Sequence, residues 1–369
     1  MTSWDTLEYE GLPQAVIDEL RLIFPPSPDD AFVQVGRCAN TGKDITLCYS
    51  AFGDPADPCI LLIMGMNATS IMWDIRFCLY LAQAGFYVVR YDNRDVGLST
   101  HLDDCGSPFI LRLALPAWAS IGEGGVSYTL EDMSEDAAGL LRALKINKAH
   151  IVGCSMGGMI AQLLMLRHPE MVASMCLLST SAGVPSPKPL LLLNILDQPE
   201  CPTDVQSVID YRVRFFKAIA GEMPFDEHEF RLGMWYDFTR APYLRGARRH
   251  LAAIARAKDR SAALKAHVNQ GVDTRIDRSS GTDHSSTSPG AAGTAKPGYF
   301  PVVVLHGGKD PLIPLSHGQH LADCIEGARL VVFPKMGHYF PKELFRPIGD
   351  EIILNARSAA VTVTKTPPL

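Results

Sequence analysis

The chain has 369 residues, 47 % of them hydrophobic and 20 % charged, with a formal net charge of −6 at pH 7. That length exceeds one ordinary domain, and the composition is that of a globular protein able to bury a large core. The acidic balance offers no polyanion-binding surface, so nucleic acid is not an expected partner.

From the N-terminus, residues 12–24 have helical periodicity and run into a Pro-rich break at 25–28. The opening Met1-Thr2-Ser3-Trp4-Asp5 lacks the basic stretch and apolar run of a secretory signal. No run of about 18 uninterrupted apolar residues occurs, so no membrane span is expected. The nine cysteines are scattered and include no Cys-x-x-Cys pair. That pattern speaks against a metal site or a disulfide framework and for free thiols in a reducing compartment. A cytoplasmic protein is the expectation.

Residues 32–38 and 45–51 alternate apolar and polar around Asn40-Thr41-Gly42-Lys43, the pattern of a β-hairpin. The period then changes. Cys59-Ile60-Leu61-Leu62-Ile63-Met64 is a continuous apolar run of the kind found in strands covered on both faces. A helix is predicted over 70–84, a strand over 86–91, a helix over 129–145 and a strand over 150–153. A helix over 156–167 and a strand over 173–178 complete this part. Strand and helix alternate as in a doubly wound α/β sheet.

Residues 184–270 hold only helical patterns, among them 205–219 and 246–268. Residues 271–298 are rich in Gly, Ser, Thr and Asp and read as a loose linker. Strand logic resumes at 299–306. A helix at 315–324, a strand at 329–333 and a helix at 342–357 follow. The expected division has an N-terminal helical extension at 1–30 and a core over 31–183. A helical cap over 184–298, including the flexible 271–298, interrupts it. The core continues over 299–358 and a tail over 359–369. The expected fold class is therefore α/β, a mostly parallel doubly wound sheet with a cap inserted after the sixth strand. Such an insert would sit over the switch-point crevice, where open α/β sheets bind ligands.

Gly153-Cys154-Ser155-Met156-Gly157 joins a predicted buried strand directly to a predicted helix. Gly-x-Ser-x-Gly is a weak signal alone and a specific one at such a junction. The turn is so tight that β-carbons two residues either side of the serine would clash. It lifts the Ser155 hydroxyl above the sheet edge, at a helix N-terminus that favours negative charge. Ser155 is the expected nucleophile, and Cys154 is its packed neighbour rather than a rival.

A serine hydroxyl needs a base, and the base needs an orienting acid. His338 lies in Met336-Gly337-His338, after the last predicted strand and before the last helix, and is preferred as base over His306, His317 and His320. A solvated loop histidine is the plain alternative. Asp310 ends the strand before it in Lys309-Asp310-Pro311, where the alternative is an Asp-Pro turn. The end of the sixth strand, Ser179-Thr180-Ser181-Ala182-Gly183, offers no acid, which directs the choice to Asp310. Two N–H donors should hold an oxyanion. Met156 follows the nucleophile, and Met66 lies in the loop after the third strand. Asp92-Asn93-Arg94-Asp95, after the fourth strand, reads as an architectural turn pinned by an ion pair.

Together these stretches resemble the α/β-hydrolase superfamily and, within it, the aclacinomycin methylesterase type of hydrolase from polyketide tailoring. Arg90-Tyr91-Asp92-Asn93-Arg94-Asp95, Val152-Gly153-Cys154-Ser155-Met156-Gly157, Pro224-Phe225-Asp226, His306-Gly307-Gly308-Lys309-Asp310-Pro311 and Met336-Gly337-His338 carry the likeness. Met64-Gly65 stands where that family more usually has His-Gly. The segments at 101–127 and 271–298 are longer than usual, and apolar residues at 108–121 could line an entrance.

The resemblance implies two-step acyl transfer through Ser155, His338 and Asp310 without a metal or organic cofactor. The expected substrate is an apolar small molecule carrying a carboxylic ester, as a methyl ester or lactone. Two other readings stay open. One is a tailoring enzyme that cyclises, condenses or transfers an acyl group at the same site. The other is a non-catalytic ligand sensor. Epoxide hydrolysis and dehalogenation are disfavoured, because those chemistries use an aspartate at the elbow. A homodimer is compatible with these features, and neither a membrane nor a nucleic acid is expected as partner.

Overall fold

A computed structural model of the chain describes residues 14–23, 28–106, 108, 126–185, 204–241, 243, 245–268 and 300–363. The predicted linker at 271–298 and most of the apolar stretch at 108–121 lie outside the described residues.

Eight strands form one sheet: β1 (Ala31–Arg37), β2 (Asp44–Phe52), β3 (Cys59–Ile63), β4 (Tyr87–Tyr91), β5 (Ala149–Cys154), β6 (Val172–Leu178), β7 (Val302–Gly307) and β8 (Arg329–Phe333). Their order is β1-β2-β4-β3-β5-β6-β7-β8. The β1–β2 and β2–β4 pairs are antiparallel and all others parallel. The hairpin alternates half-buried and exposed residues along β1, as one covered face requires.

The central strands are buried on both faces, and successive residues serve opposite cores. Leu61 and Ile63 of β3 join Val89, Tyr91, Val302 and Val304 on one side. Ile60 and Leu62 join Val88, Val303 and Leu305 on the other. Helices α3 (Leu130–Ala143), α4 (Met156–Arg167) and α9 (Leu315–Cys324) cover the first face. Helix α1 (Gln14–Ile23) precedes the sheet, and helices α2 (Ile75–Gln83) and α10 (Phe345–Val363) cover the second face.

Two predicted helices are interrupted. In place of one helix over 70–84, a tight turn at Ser70–Met72 precedes α2. The Ser70 N–H donates to Asp92 Oδ1 at 2.7 Å. Asp74 then restarts the helix by accepting from the Arg76 N–H at 2.8 Å. Likewise 246–268 is two helices, α7 (Ala247–Ala255) and α8 (Ser261–Val268). Asp259 accepts the Ser261 N–H at 2.8 Å, and the buried Arg260 reaches Gln162 and the Ser181 carbonyl.

Among the described residues four helices lie between β6 and β7: α5 (Val205–Ile219), α6 (Glu227–Arg240), α7 and α8. Buried ion pairs tie them to the sheet. Arg240 bonds Asp92 at 2.9 Å and Asp30 at 2.8 Å. Arg249 forms a two-pronged pair with Asp95 at 2.7 and 2.8 Å. Arg94 pairs outward with Asp136 of α3 at 2.6 and 2.7 Å. The loop after β4 is thus not a turn closed by its own ion pair. Its two acids anchor the inserted helices and its arginine anchors α3.

The Arg249 side chain is 1 % exposed and that of Asp95 fully buried. Arg249 also reaches the half-exposed Asp103 at 3.3 Å, but neutralising Asp95 removes its buried, two-pronged counter-charge, so Asp95→Asn is expected to destabilise the protein by about 3 kcal/mol. Burial alone raises the Asp95 pKa, but bonds from Arg249 and the Leu102 N–H outweigh it and leave the carboxyl below its ordinary value. Stability from a depressed carboxyl is present above the ordinary Asp range and lost as pH falls through the lowered value. Urea unfolding should therefore show a large deficit for Asp95→Asn at neutral pH that shrinks in acid. A variant midpoint equal to wild type at pH 7 would disprove the anchoring role.

Candidate active site

The strand order reverses at β3, which has β4 on one side and β5 on the other. Connections leaving β3 and β5 therefore part to opposite faces and open a crevice at the carboxyl ends of these strands. Ile63 and Gly153 are partners in that register, so the loop after β3 and the turn after β5 emerge side by side.

Ser155 occupies the turn between β5 and α4 with φ 55° and ψ −121°. A non-glycine residue in this left-handed region is strained, and such strain persists only where the surroundings enforce it. Here the Ser155 N–H donates to the Leu178 carbonyl at 2.9 Å, and its carbonyl accepts the Thr180 hydroxyl at 2.7 Å. A β-carbon on Gly153 would run into the Gly157 carbonyl, and one on Gly157 into the Ile63 carbonyl. Both glycines are therefore needed for the turn to pass under β3.

His338 follows β8. Its ring Nδ1 lies 2.8 Å from Asp310 Oδ2. Asp310 follows β7, and its other oxygen accepts the Leu312 and Ile313 N–H groups at 2.9 and 2.8 Å. All the acid's visible partners are donors, so it is placed to hold the imidazole proton on Nδ1 and leave Nε2 bare. The His338 main chain is fixed from the inserted helices: its N–H donates to Ile219 O at 2.7 Å, and the Gly337 N–H to Ala220 O at 3.0 Å.

Ser155 and His338 line one cavity of about 390 Å³. Met64, Met66, Met72, Met156 and Met159 make up part of its wall, with Phe215, Phe216, Ile254, Tyr339 and Phe340. Among the described residues no Asp, Glu, Lys or Arg lines it, and His338 is its one histidine. The size suits a small-molecule ligand, and methionine-rich walls adapt to irregular apolar shapes. A smaller cavity of about 90 Å³ shares Met72, Tyr339 and Phe340 with it. Five of its charged residues, Asp74, Arg76, Asp226, Glu229 and Lys342, pair with one another.

None of the rival histidines His306, His317 and His320 lines this cavity. His306 is fully buried in β7, where its Nε2 donates to Ile313 O at 2.8 Å. It braces the loop that carries Asp310. His320 meets the Ser261 hydroxyl at 2.9 Å. Burial, with a smaller contribution from the charge of Asp310, pushes the Cys154 thiol up to about 12. It is a poor nucleophile at neutral pH.

Gly65 stands against the serine: a β-carbon there would lie 3.1 Å from Ser155 Cβ. Met66 follows it, and Met156 begins α4, whose first N–H groups have no partner within the helix. Sequence reasoning missed what holds this loop. Asn93 Nδ2 donates to Met64 O at 2.9 Å, and the Asn67 N–H donates to His250 Nδ1 at 3.1 Å. Asn93 sits in a quoted motif and could have been suspected. His250 had no local signal.

A family profile described as the α/β hydrolase fold matches residues 58–343. The chain belongs to the α/β-hydrolase family. This α/β hydrolase is 29 % identical over 344 residues to the rhodomycin D methylesterase of Streptomyces sp. (strain C5), covering 87 % of this chain and 98 % of that protein. The rhodomycin D methylesterase of Streptomyces peucetius is 28 % identical over the same shares. The likeness to enzymes of the aclacinomycin methylesterase type thus extends over most of the hydrolase. A thermophilic esterase from Thermogutta terrifontis shares its fold, with a TM-score of 0.61 and 21 % identity over 89 % of this chain and 99 % of that one. Among the described residues no helix is long and apolar enough to cross a membrane.

Proposed function

We propose that this protein is a carboxylic-ester hydrolase acting on an apolar small molecule, with a methyl ester or lactone as the bond cleaved. The observation that carries this reading is Ser155 facing the same apolar cavity as His338, whose ring is held by Asp310 at 2.8 Å. The relatives named as methylesterases support hydrolysis over the other acyl-transfer outcomes.

In the first step His338 Nε2 takes the Ser155 proton as the oxygen bonds to the ester carbonyl carbon. The oxyanion is held by the N–H groups of Met66 and Met156, donors that need no reorganisation because the main chain fixes them. When the tetrahedral species collapses, the C–O bond to the alcohol breaks and His338 returns its proton to that alcohol. Water then repeats the sequence on the acyl-enzyme, and Ser155 regains its proton.

The wall chemistry favours one direction. A neutral ester enters without loss of strong hydration. The product is a carboxylate, and a charge without partners in an apolar cavity is costly. Ionisation of the acid therefore promotes release.

The test combines a fluorophosphonate probe with product analysis in ¹⁸O-water. The expected results are a single adduct on Ser155 and one ¹⁸O in the acid released from an apolar methyl ester. An unlabelled Ser155 in folded protein, or a product without ¹⁸O, would count against the mechanism.

A further inference from the structure

His250 belongs to α7, in the inserted helices, yet it touches the loop after β3. The residue is fully buried. Its Nε2 lies 2.8 Å from Arg94 O, and a carbonyl can only accept, so Nε2 carries the ring proton. Nδ1 is then bare and accepts the Asn67 N–H at 3.1 Å. Burial lowers the pKa of the imidazole and keeps this neutral tautomer. Tyr128 lies perpendicular to the ring with centroids 6.3 Å apart.

Asn67 is itself in the left-handed region at φ 53°, and its buried side-chain Oδ1 has no hydrogen-bond partner among the described residues. The bonds that hold the loop come from outside it. Asn93 holds the Met64 carbonyl at one end and His250 holds the Asn67 N–H at the other. Gly65 and Met66 lie between these two fixed points.

We propose that His250 is a positioning residue for ester hydrolysis: an acceptor carried by the inserted helices that aims the Met66 N–H at the oxyanion. This rests on the reading of Met66 as an oxyanion donor given above. The insert then does more than shape the cavity, because without α7 one end of the donor loop is free.

Two conservative variants separate positioning from bulk structure. The Asn side-chain oxygen is as many bonds from Cβ as His Nδ1, so His250→Asn can still accept from Asn67. The Gln side-chain nitrogen matches Nε2, so His250→Gln keeps a donor to Arg94 O and loses the acceptor. On an apolar methyl ester, kcat of His250→Gln should fall about 10- to 100-fold with KM nearly unchanged, the size of effect seen when a preorganised donor is misplaced. Binding of an alkyl boronic acid, which mimics the tetrahedral species, should weaken in the same ratio. His250→Asn should recover most of both.

Wild-type kcat in His250→Gln, equal losses in both variants, or a loss confined to KM would overturn the proposal. Should either variant fail to fold, ¹⁵N NMR of histidine in the wild-type protein decides. A protonated Nε2 and bare Nδ1 are expected at His250, and a proton on Nδ1 overturns it. Ser155→Ala is the control. If it still turns over the ester, the acyl-enzyme reading itself falls. If it is dead while His250→Gln is fully active, only the positioning role falls.

Discussion

Ser155→Ala is expected to lower kcat for ester hydrolysis by about 10⁴- to 10⁶-fold while the protein keeps its fold. The hydroxyl is the only oxygen lost, and it faces the cavity rather than the core. The main-chain bonds that enforce the turn, from Ser155 N–H to Leu178 O and from the Thr180 hydroxyl to Ser155 O, remain available to alanine. The thermal midpoint should therefore stay close to wild type. Residual turnover within tenfold of wild type would mean that Ser155 is not the nucleophile. Cys154 is no substitute, since burial holds it as a thiol.

Asp310→Asn is expected to cost about 10⁴ in kcat, through the wrong histidine tautomer rather than through lost structure. Asp310 Oδ1 accepts two N–H groups, from Leu312 and Ile313. An asparagine must keep its carbonyl oxygen there, because its NH₂ cannot accept. The NH₂ then faces His338 Nδ1, 2.8 Å away in the wild type. Two donors cannot share that bond, so the ring proton moves to Nε2 and the base is gone. Both loop bonds survive, and His306 still braces the loop through Ile313 O. Pre-steady-state acylation and the thermal midpoint should be measured together. Full acylation speed in a folded variant would mean that Asp310 does not orient His338.

The parts legible in the sequence were those written in adjacent residues. Cys59–Ile63 is apolar at every position because neighbouring residues serve opposite cores, so a five-residue run identifies a doubly covered strand. The elbow is equally local, since Gly153, Ser155 and Gly157 lie within five residues and their spacing is the steric requirement itself. The helix break before α2 was also written locally, in Asp74, and the one before α8 in Asp259. Periodicity masked both, because apolar spacing reports a buried face and is indifferent to a short interruption.

What lay beyond the sequence is pairing across distance. Arg249 reads as one more charge on a helix until the fold sets it on Asp95, 154 positions away. His250 reads as one histidine among eleven until it meets Asn67 across 183 positions. Ile219 is an apolar helix residue whose carbonyl happens to receive the His338 N–H. By itself the sequence determined the order of strands and helices, the strained turn at Ser155 and the identity of an acid and a histidine on following strands. Only the tertiary structure decided that the inserted helices hold both the His338 loop and the loop after β3. Local residue types set the conformation of a segment, whereas hydrogen bonds to main-chain groups depend on which segments pack together and leave no mark on the residue that supplies the carbonyl or the N–H.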